Sequence, residues 1–416
     1  MKLTGKHLLL LLLLPFTLAV AGGPAGAQTG GAAEPPADPE LPYPPPRPPQ
    51  IGDVLHLPTG FYVDFQAMLR AAGDARIAYV GETHDNPASH RLQLQVLQAL
   101  AERYPGRVAM GMEMFNPTQQ PVLDRWVAGE LSEREFIKES DWYNVWRLDF
   151  AYYRDLLLFA RERKIPVIGL NAERELLQQL RQAPADLPEE LRAQLPELDL
   201  ADPYHRRMTE AVFADHPLGE GQFERFYRAQ VLWDEMMAQS VARYLAAAPE
   251  GTRMVVVAGS QHVRHGAGIP RRAFRRLALS YVLVGNHELD LSPEKQQTLM
   301  QITPPKLPMP AYDYVVYTAY ETLPQRGVKL GIRLEGTERG PVIRSVSSGS
   351  PAERAGLRPG DVIRQLDGEA TPESFDVVYL LQQKDPGSEA QLLIERDGQQ
   401  MQVRAAFPEA PPAETK

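Results

Sequence analysis

Short apolar runs alternate with longer amphipathic stretches from Ile51 to about Glu288. Ile77–Val80, Val108–Met112, Val167–Leu170, Met254–Ala258 and Ser280–Val284 have the length and side-chain type of buried strands. After the first run, Leu92, Val96 and Leu100 recur at helical spacing and predict a helix from about Ala88 to Arg103. Leu123–Val127 and Phe150–Arg163 also read as helices. Residues 172 to about 248 are charged and mostly helical in pattern, punctuated by Pro184, Pro188, Pro196 and Pro203, as expected of a helical insertion over strand ends. Its last part carries Phe226, Gln230, Trp233, Met237 and Tyr244 as a stripe, an ordinary core face that is also placed to roof a site. This alternation predicts an α/β domain over 51–290, strands with flanking helices and a helical insertion.

The pattern then lapses. Residues 291–313 contain Pro293, Pro304, Pro305, Pro308 and Pro310 and read as a linker. Leu330–Glu335, Val342–Val346, Asp361–Leu366, Ala390–Glu395 and Met401–Ala406 are short β-runs separated by glycine turns, which predicts a small, mostly β domain over 314–407 and a tail over 408–416. At the other end, Lys2 and Lys6 precede the apolar Leu8–Leu14 and the small residues Ala19-Val20-Ala21. That order predicts a signal peptide over 1–21, cleaved after Ala21 or Ala27, and a periplasmic or secreted protein. Residues 22–50 are Gly-rich and then Pro-rich, a spacer favouring extended polyproline geometry.

Composition narrows the chemistry. The 416 residues are 44% hydrophobic, enough to bury a sizeable core. A net charge of −9 argues against nucleic acid as a partner. With no Cys, thiolate ligands, a Cys nucleophile and a lipid-modified cysteine anchor are excluded, and stability rests on the core. Ionisable side chains gather at the ends of the apolar runs. Gly81-Glu82-Thr83-His84 follows the first, Glu113 the second, and Gly259-Ser260-Gln261-His262 the fourth. In open α/β sheets ligands bind at those carboxyl ends. Glu82 and His84, two apart, point to the same side in extended backbone. Glu82, His84, Glu113 and His262 are therefore the candidate catalytic groups. His84, Glu113 and His262 form a set able to bind a divalent metal such as Zn or Mn. The same groups can instead serve as an acid–base pair in which a carboxylate orients an imidazole. Nine His in this length is ordinary, so any one of them is by default a surface or hydrogen-bonded residue. His265 and His287 lie near the same edge. His56, His90, His205 and His216 are expected at the surface or behind the site, and Asn286-His287-Glu288 after a peripheral last strand.

Gly81-Glu82-Thr83-His84-Asp85, Glu113-Met114-Phe115, Ala229-Gln230-x-x-Trp233-Asp234-Glu235-Met236 and Gly259-Ser260-Gln261-His262 leading to Gly268-Ile269-Pro270 together resemble the superfamily of the ChaN haem-binding proteins, the Tiki and TraB proteases and the erythromycin esterases. Over about 51–290 the chain looks most like ChaN. That resemblance implies an exported haem-binding protein of iron acquisition, with His84, Asp85, Gln230, Trp233 and His262 as candidate cofactor-binding residues. Haem held between two protomers would make it a homodimer. ChaN relatives are commonly lipoproteins, and the missing Cys departs from that. Haem iron can be held by Tyr or His; Tyr152 and Tyr153 are candidates. Arg271-Arg272-Ala273-Phe274-Arg275-Arg276 reads as a solvated helix face, with haem propionates as an alternative partner.

Further on, Lys329-Leu330-Gly331-Ile332 resembles the carboxylate-binding loop of a PDZ domain, and Ser350-Pro351-Ala352-x-x-Ala355-Gly356-Leu357-x-Pro359-Gly360-Asp361-Val362-Ile363 its bacterial core segment. A helix at Pro372–Lys384 would border the groove. The likeness implies that a peptide adds a strand beside Ile332–Glu335, its carboxylate held at Leu330, Gly331 and Ile332. Three functions follow as expectations. One is a haem-binding protein with PDZ docking; the second is a metal-dependent hydrolase using His84, His262 and Glu113; the third is a scaffold acting through the PDZ domain alone.

Overall fold

The computed structural model describes residues 43–173, 176, 189–192, 195–214, 222–298, 305–324 and 326–409. The expected signal peptide, most of the first linker, Pro184, Pro188, His216, Pro304 and the tail beyond Glu409 lie outside the described residues. The chain divides into two compact units, Met1–Thr322 and Leu323–Lys416.

The first unit is built on an eight-stranded sheet. Its strands are β1 (Val54–His56), β2 (Phe61–Val63), β3 (Ile77–Glu82), β4 (Val108–Met112), β5 (Val167–Gly169), β6 (Arg253–Gly259), β7 (Tyr281–Asp290) and β8 (Tyr314–Ala319). They lie in the order β2-β1-β8-β7-β3-β6-β4-β5. From β8 to β5 every pairing is parallel, while β1 runs antiparallel to both β8 and β2. Strands β3, β4 and β6 read as continuous apolar runs because helices cover both faces of a parallel sheet. Register sets the geometry of everything that follows. Glu82 pairs with Gly259 and Met112 with Val257, so β3 and β6 end level and β4 ends two residues short of them.

The helix Pro87–Arg103 starts where Asn86 accepts a hydrogen bond from the Ala88 amide at 3.0 Å and Pro87 pre-sets the first turn. It buries Leu92, Val96, Leu97 and Leu100. Chain order and spatial order part company here, since β6 lies between β3 and β4, which opens a crevice at the strand ends. An aromatic cluster of Phe115, Trp126, Phe136, Trp142 and Phe150 packs beside it.

Several expectations are corrected. Strand β7 does not stop at Val284 but runs to Asp290, carrying Asn286, His287 and Glu288 within it. It is interior, flanked by β3 and β8, because Val282, Leu283 and Val284 are buried on both sides. Tyr314–Ala319, expected in the second domain, is a strand of the first sheet. Its Val315, Val316 and Tyr317 bury against β7 and β1, so the prolines before it mark a loop and not the division between units. Within that stretch Pro293–Thr298 is a helix. The long helix Phe223–Ala247 turns a different face inward from the expected stripe: Tyr227, Val231, Asp234, Ala238, Val241 and Leu245 are buried, with Met237 common to both. Bulk misled the pattern, since small Ala229, Ala238 and Ala242 are among the residues this helix buries.

The second unit holds β9 (Ile332–Thr337), β10 (Gly340–Val346), β11 (Val362–Leu366), β12 (Glu369–Ala370), β13 (Glu389–Arg396) and β14 (Gln399–Ala406). The antiparallel order is β14-β13-β11-β10-β9, with β12 paired to β11. Leu330, Ile343, Ile363, Leu366, Val377, Leu392 and Ile394 form its core under the helix Ser374–Gln382. β9 is an edge strand. Among the described residues no helix is long and apolar enough to cross a membrane.

Phe136 is fully buried, with ring centroids of Trp126 and Phe115 at 4.5 and 5.8 Å. Phe136→Ala should lower the stability of the first unit by about 3–5 kcal/mol in chemical denaturation.

Candidate functional site

The neighbouring ends of β3, β6 and β4 bring the two Gly-x-x-His segments and Glu113 together. Glu113 leaves β4 with its Oε2 accepting the Gly259 amide at 2.7 Å, which ties the end of β4 to the end of β6. His262 Nε2 lies 3.5 Å from Glu113 Oε1. His84 reaches over from β3. A Cβ added to Gly259 would lie 2.9 Å from His84 Nε2 and 3.5 Å from Glu113 Oε2, so only glycine leaves room for the imidazole here.

Each imidazole is backed by a buried carboxylate. Glu82 Oε1 is 2.6 Å from His84 Nδ1 and also accepts the Tyr153 hydroxyl at 2.6 Å. Its other oxygen accepts the Gln93 amide at 2.6 Å, with His90 Nδ1 at 3.5 Å. On the other arm, Asp234 Oδ1 is 2.7 Å from His262 Nδ1, and Asp234 Oδ2 is 2.7 Å from His205 Nε2. An ionised carboxylate only accepts, so Nδ1 of both His84 and His262 carries a proton and Nε2 faces the site. The edges of Trp146 and Trp233 close on His84 and His262 with centroids at 5.1 and 6.2 Å.

Of the expected residues, Glu82, His84, Glu113 and His262 are thus brought together. Trp233 is at the rim. Gln230 is half-buried one turn before Asp234. Asp85 turns elsewhere and pairs with Lys295 at 2.6 Å. His265 is buried against the Met309 carbonyl at 3.1 Å, and His287 packs on Tyr317. The arginine run is solvated only in part: Arg271 and Arg275 are exposed, while Arg272 is buried. Arg272, Arg275 and Arg276 surround the fully buried Glu235, and Arg271 pairs with Asp199 at 2.7 Å. Asp234, His205, Gln93 and His90 are the members that sequence reasoning missed or set aside, while Tyr153, a candidate iron ligand, donates instead to Glu82. Asp234 stands next to Trp233 in a quoted motif, and that adjacency was the available signal. Among the described residues no group of three or more His, Asp or Glu is spaced to hold a metal ion.

Burial penalises the charge on Glu82, but His90, His84 and Tyr153 outweigh it and bring the carboxyl down to about 2. Burial likewise opposes charge on His84, which Glu82 and Glu113 nevertheless raise. His262 is lifted to about 9, since Glu113 and Asp234 overcome its burial. Asp234 is held well below the ordinary carboxylate range against the cost of burial by His262 and His205. Burial and the Glu82 charge push the Tyr153 phenol far up, so it stays a donor.

These shifts fix a pH dependence. His262 is raised from 6.5, so the stability it contributes is complete below pH 6.5 and lost as pH rises through about 9. Glu82 is depressed from 4.5, so its contribution is present above pH 4.5 and lost as pH falls through about 2. In urea titrations across pH, His262→Gln should approach the wild type towards pH 9, and Glu82→Gln should approach it towards pH 2.

Comparison with known proteins agrees with this architecture. Residues 68–273 match the family described as haem-binding uptake, Tiki superfamily, ChaN, and residues 328–406 match the PDZ domain family. A probable periplasmic serine endoprotease, DegP-like, of Hahella chejuensis (strain KCTC 2396) is 36% identical over 73 residues, 18% of this chain and 16% of that protein. The regulator of sigma-E protease RseP of Escherichia coli (strain K12) is 36% identical over 87 residues, 21% of this chain and 19% of that protein. The chain therefore spans less than a fifth of the length of these curated relatives. Among solved structures, the one titled cofacial heme binding to ChaN of Campylobacter jejuni is 17% identical with a TM-score of 0.49, covering 63% of this chain and 95% of that one. The chain thus carries a ChaN-like haem-binding family domain over residues 68–273, followed by a PDZ domain over residues 328–406.

Proposed function

We propose that this is an exported haem-binding protein of iron acquisition or haem handling, whose PDZ domain docks it to the free C-terminus of a protein partner. The family match over residues 68–273 carries the haem reading. Export is supported by the Lys2 to Ala21 pattern.

The donor set fits haem only at its rim. Iron in such a protein is held by Tyr or His. The His84 imidazole is closed to a macrocycle, because Nδ1 is bound to Glu82 and Nε2 abuts Gly259. Tyr153 is engaged by Glu82. Tyr152 is half-buried, and the side chain of His262 is 11% exposed, so these are the two that would reach a bound haem. Burial, with Asp85 and Asp149, raises the Tyr152 phenol to about 12, so it would lose its proton only to a strong Lewis acid. Haem supplies such an iron centre when bound.

One observation favours a second reading, a metal-dependent hydrolase. Imidazoles that bind metals through Nε2 are typically backed at Nδ1 by carboxylates, as His84 and His262 are. To hold a metal that activates water, His84, His262 and Glu113 would have to close in from their present spacing, which forms no metal-holding group among the described residues. Haemin titration together with elemental analysis of one purified sample separates the two. The haem reading expects a Soret shift that Tyr152→Phe or His262→Ala weakens; no Soret change in the wild type ends it. Stoichiometric Zn or Mn, lost in His84→Ala/His262→Ala, would establish the hydrolase reading instead. If those substitutions alter neither haem nor metal binding, the scaffold reading stands.

For the PDZ groove, the unpaired edge of β9 offers main-chain hydrogen bonds, and Gly331 adopts φ +77° in the loop before it. A Cβ there would overlap Ser350. Gly331→Val should weaken binding of a fluorescent peptide with a free carboxylate by about tenfold or more, given about 1–3 kcal/mol of backbone strain. Amidating the peptide should have the same effect on the wild type.

A further inference from the structure

Behind His262 lies a second layer that no resemblance or family match assigns. Asp234 sits on the inner face of the helix Phe223–Ala247 and is 1% exposed. Each of its oxygens takes one imidazole, His262 Nδ1 and His205 Nε2, both at 2.7 Å. His205 is itself buried, on the helix Pro203–Ala214, which Asp202 Oδ1 starts by accepting from the Tyr204 and His205 amides at 3.0 and 3.2 Å. The His205 ring packs on Tyr227 at 5.6 Å, and its Nδ1 has no hydrogen-bond partner among the described residues. Gly268 explains part of the sequence motif that follows His262. A Cβ there would overlap the His262 carbonyl oxygen and lie 3.0 Å from Asp234 Oδ1, so glycine is what lets the backbone close over this pair.

A buried ion pair of this kind is weak evidence of stabilisation, because well-packed apolar residues of the same volume usually serve a fold as well or better. Its worth lies in direction. With Nδ1 committed to Asp234, the His262 ring can present only Nε2 to Glu113 and to whatever binds there. The opposite arm repeats the device, with Glu82 between His84 and His90.

We infer that Asp234 is a positioning residue for His262, that His205 anchors Asp234 in turn, and that the Pro203–Ala214 helix thereby belongs to the ligand site. The ligand part of this inference rests on the haem-binding reading; the geometric part does not. The test uses the full-length protein labelled with nitrogen-15. A deshielded imidazole N–H proton, assigned to His262 Nδ1 by its loss in His262→Gln, is the readout. Asp234→Asn should remove or strongly shift it, and Asp234→Glu should restore it. His205→Phe should shift it, whereas His205→Gln, whose amide reaches the place of Nε2, should leave it. Haemin affinity should fall about tenfold or more in Asp234→Asn and His205→Phe, the usual size of an outer-partner effect, with circular dichroism unchanged. A resonance indifferent to both substitutions overturns the positioning role, and an unchanged haemin affinity overturns the ligand link. Should Asp234→Asn not fold, the two His205 variants decide. A wild type that binds no haemin while showing the resonance and its response refutes the haem reading and leaves the geometry standing.

Discussion

Two buried carboxylates govern this molecule. Glu82 and Asp234 are almost wholly buried, and a carboxylate without solvent must be met by donors or else give up its charge. Glu82 is met by His84, Tyr153 and Gln93, and Asp234 by His205 and His262. Those donors come from the turn and helix that follow β3, from the start of the helix Arg154–Arg163, from the helical insertion and from the turn after β6. The anions therefore lock together elements far apart in sequence, and in doing so they aim both imidazoles. Glu113, tied to the Gly259 amide, occupies the gap between them. Loosening any one of these contacts would leave a charge stranded, which is why the cluster behaves as a unit.

How much of this was legible depended on the range of the interactions. Strand β4 was readable to the residue, and the Gly-x-x-His segments stood out, because a strand and the turn that leaves it are local events. Glu82 and His84 are two residues apart, so nearness in the chain kept them together even though His84 lies in the turn just past β3. Asp234 and His205 were not readable in the same way. Their partners lie 28 and 29 residues off, and only the packing of one helix on another decides which side chains meet. The helix face was misjudged for a related reason. Large side chains suggested the stripe, while the buried face carries small residues and the two acids Asp234 and Glu235, which meet His205, His262 and the arginines of the helix Ile269–Arg276.

The division between units failed to show for the opposite reason. A proline-rich stretch is a local signal, and it was there. Yet strand β8, beyond it, buries Val315, Val316 and Tyr317 between β7 and β1 in the first sheet. The second unit was more readable because its core comes from strands close together in sequence, with glycine turns such as Gly340 (φ +103°) and Gly360 (φ +94°) marking the reversals.

The place of β8 also sets an order of events during synthesis. Val54 at the start of the first unit pairs with Val316 near its end, so the opening hairpin has no sheet to join until β8 exists. Contacts spanning so much chain are slow to form, since a long loop must close before they repay its entropy. The nascent polypeptide therefore cannot complete its first sheet while only its first two-thirds have emerged. Late closure of this kind keeps the parts already made extensible until the last strand arrives.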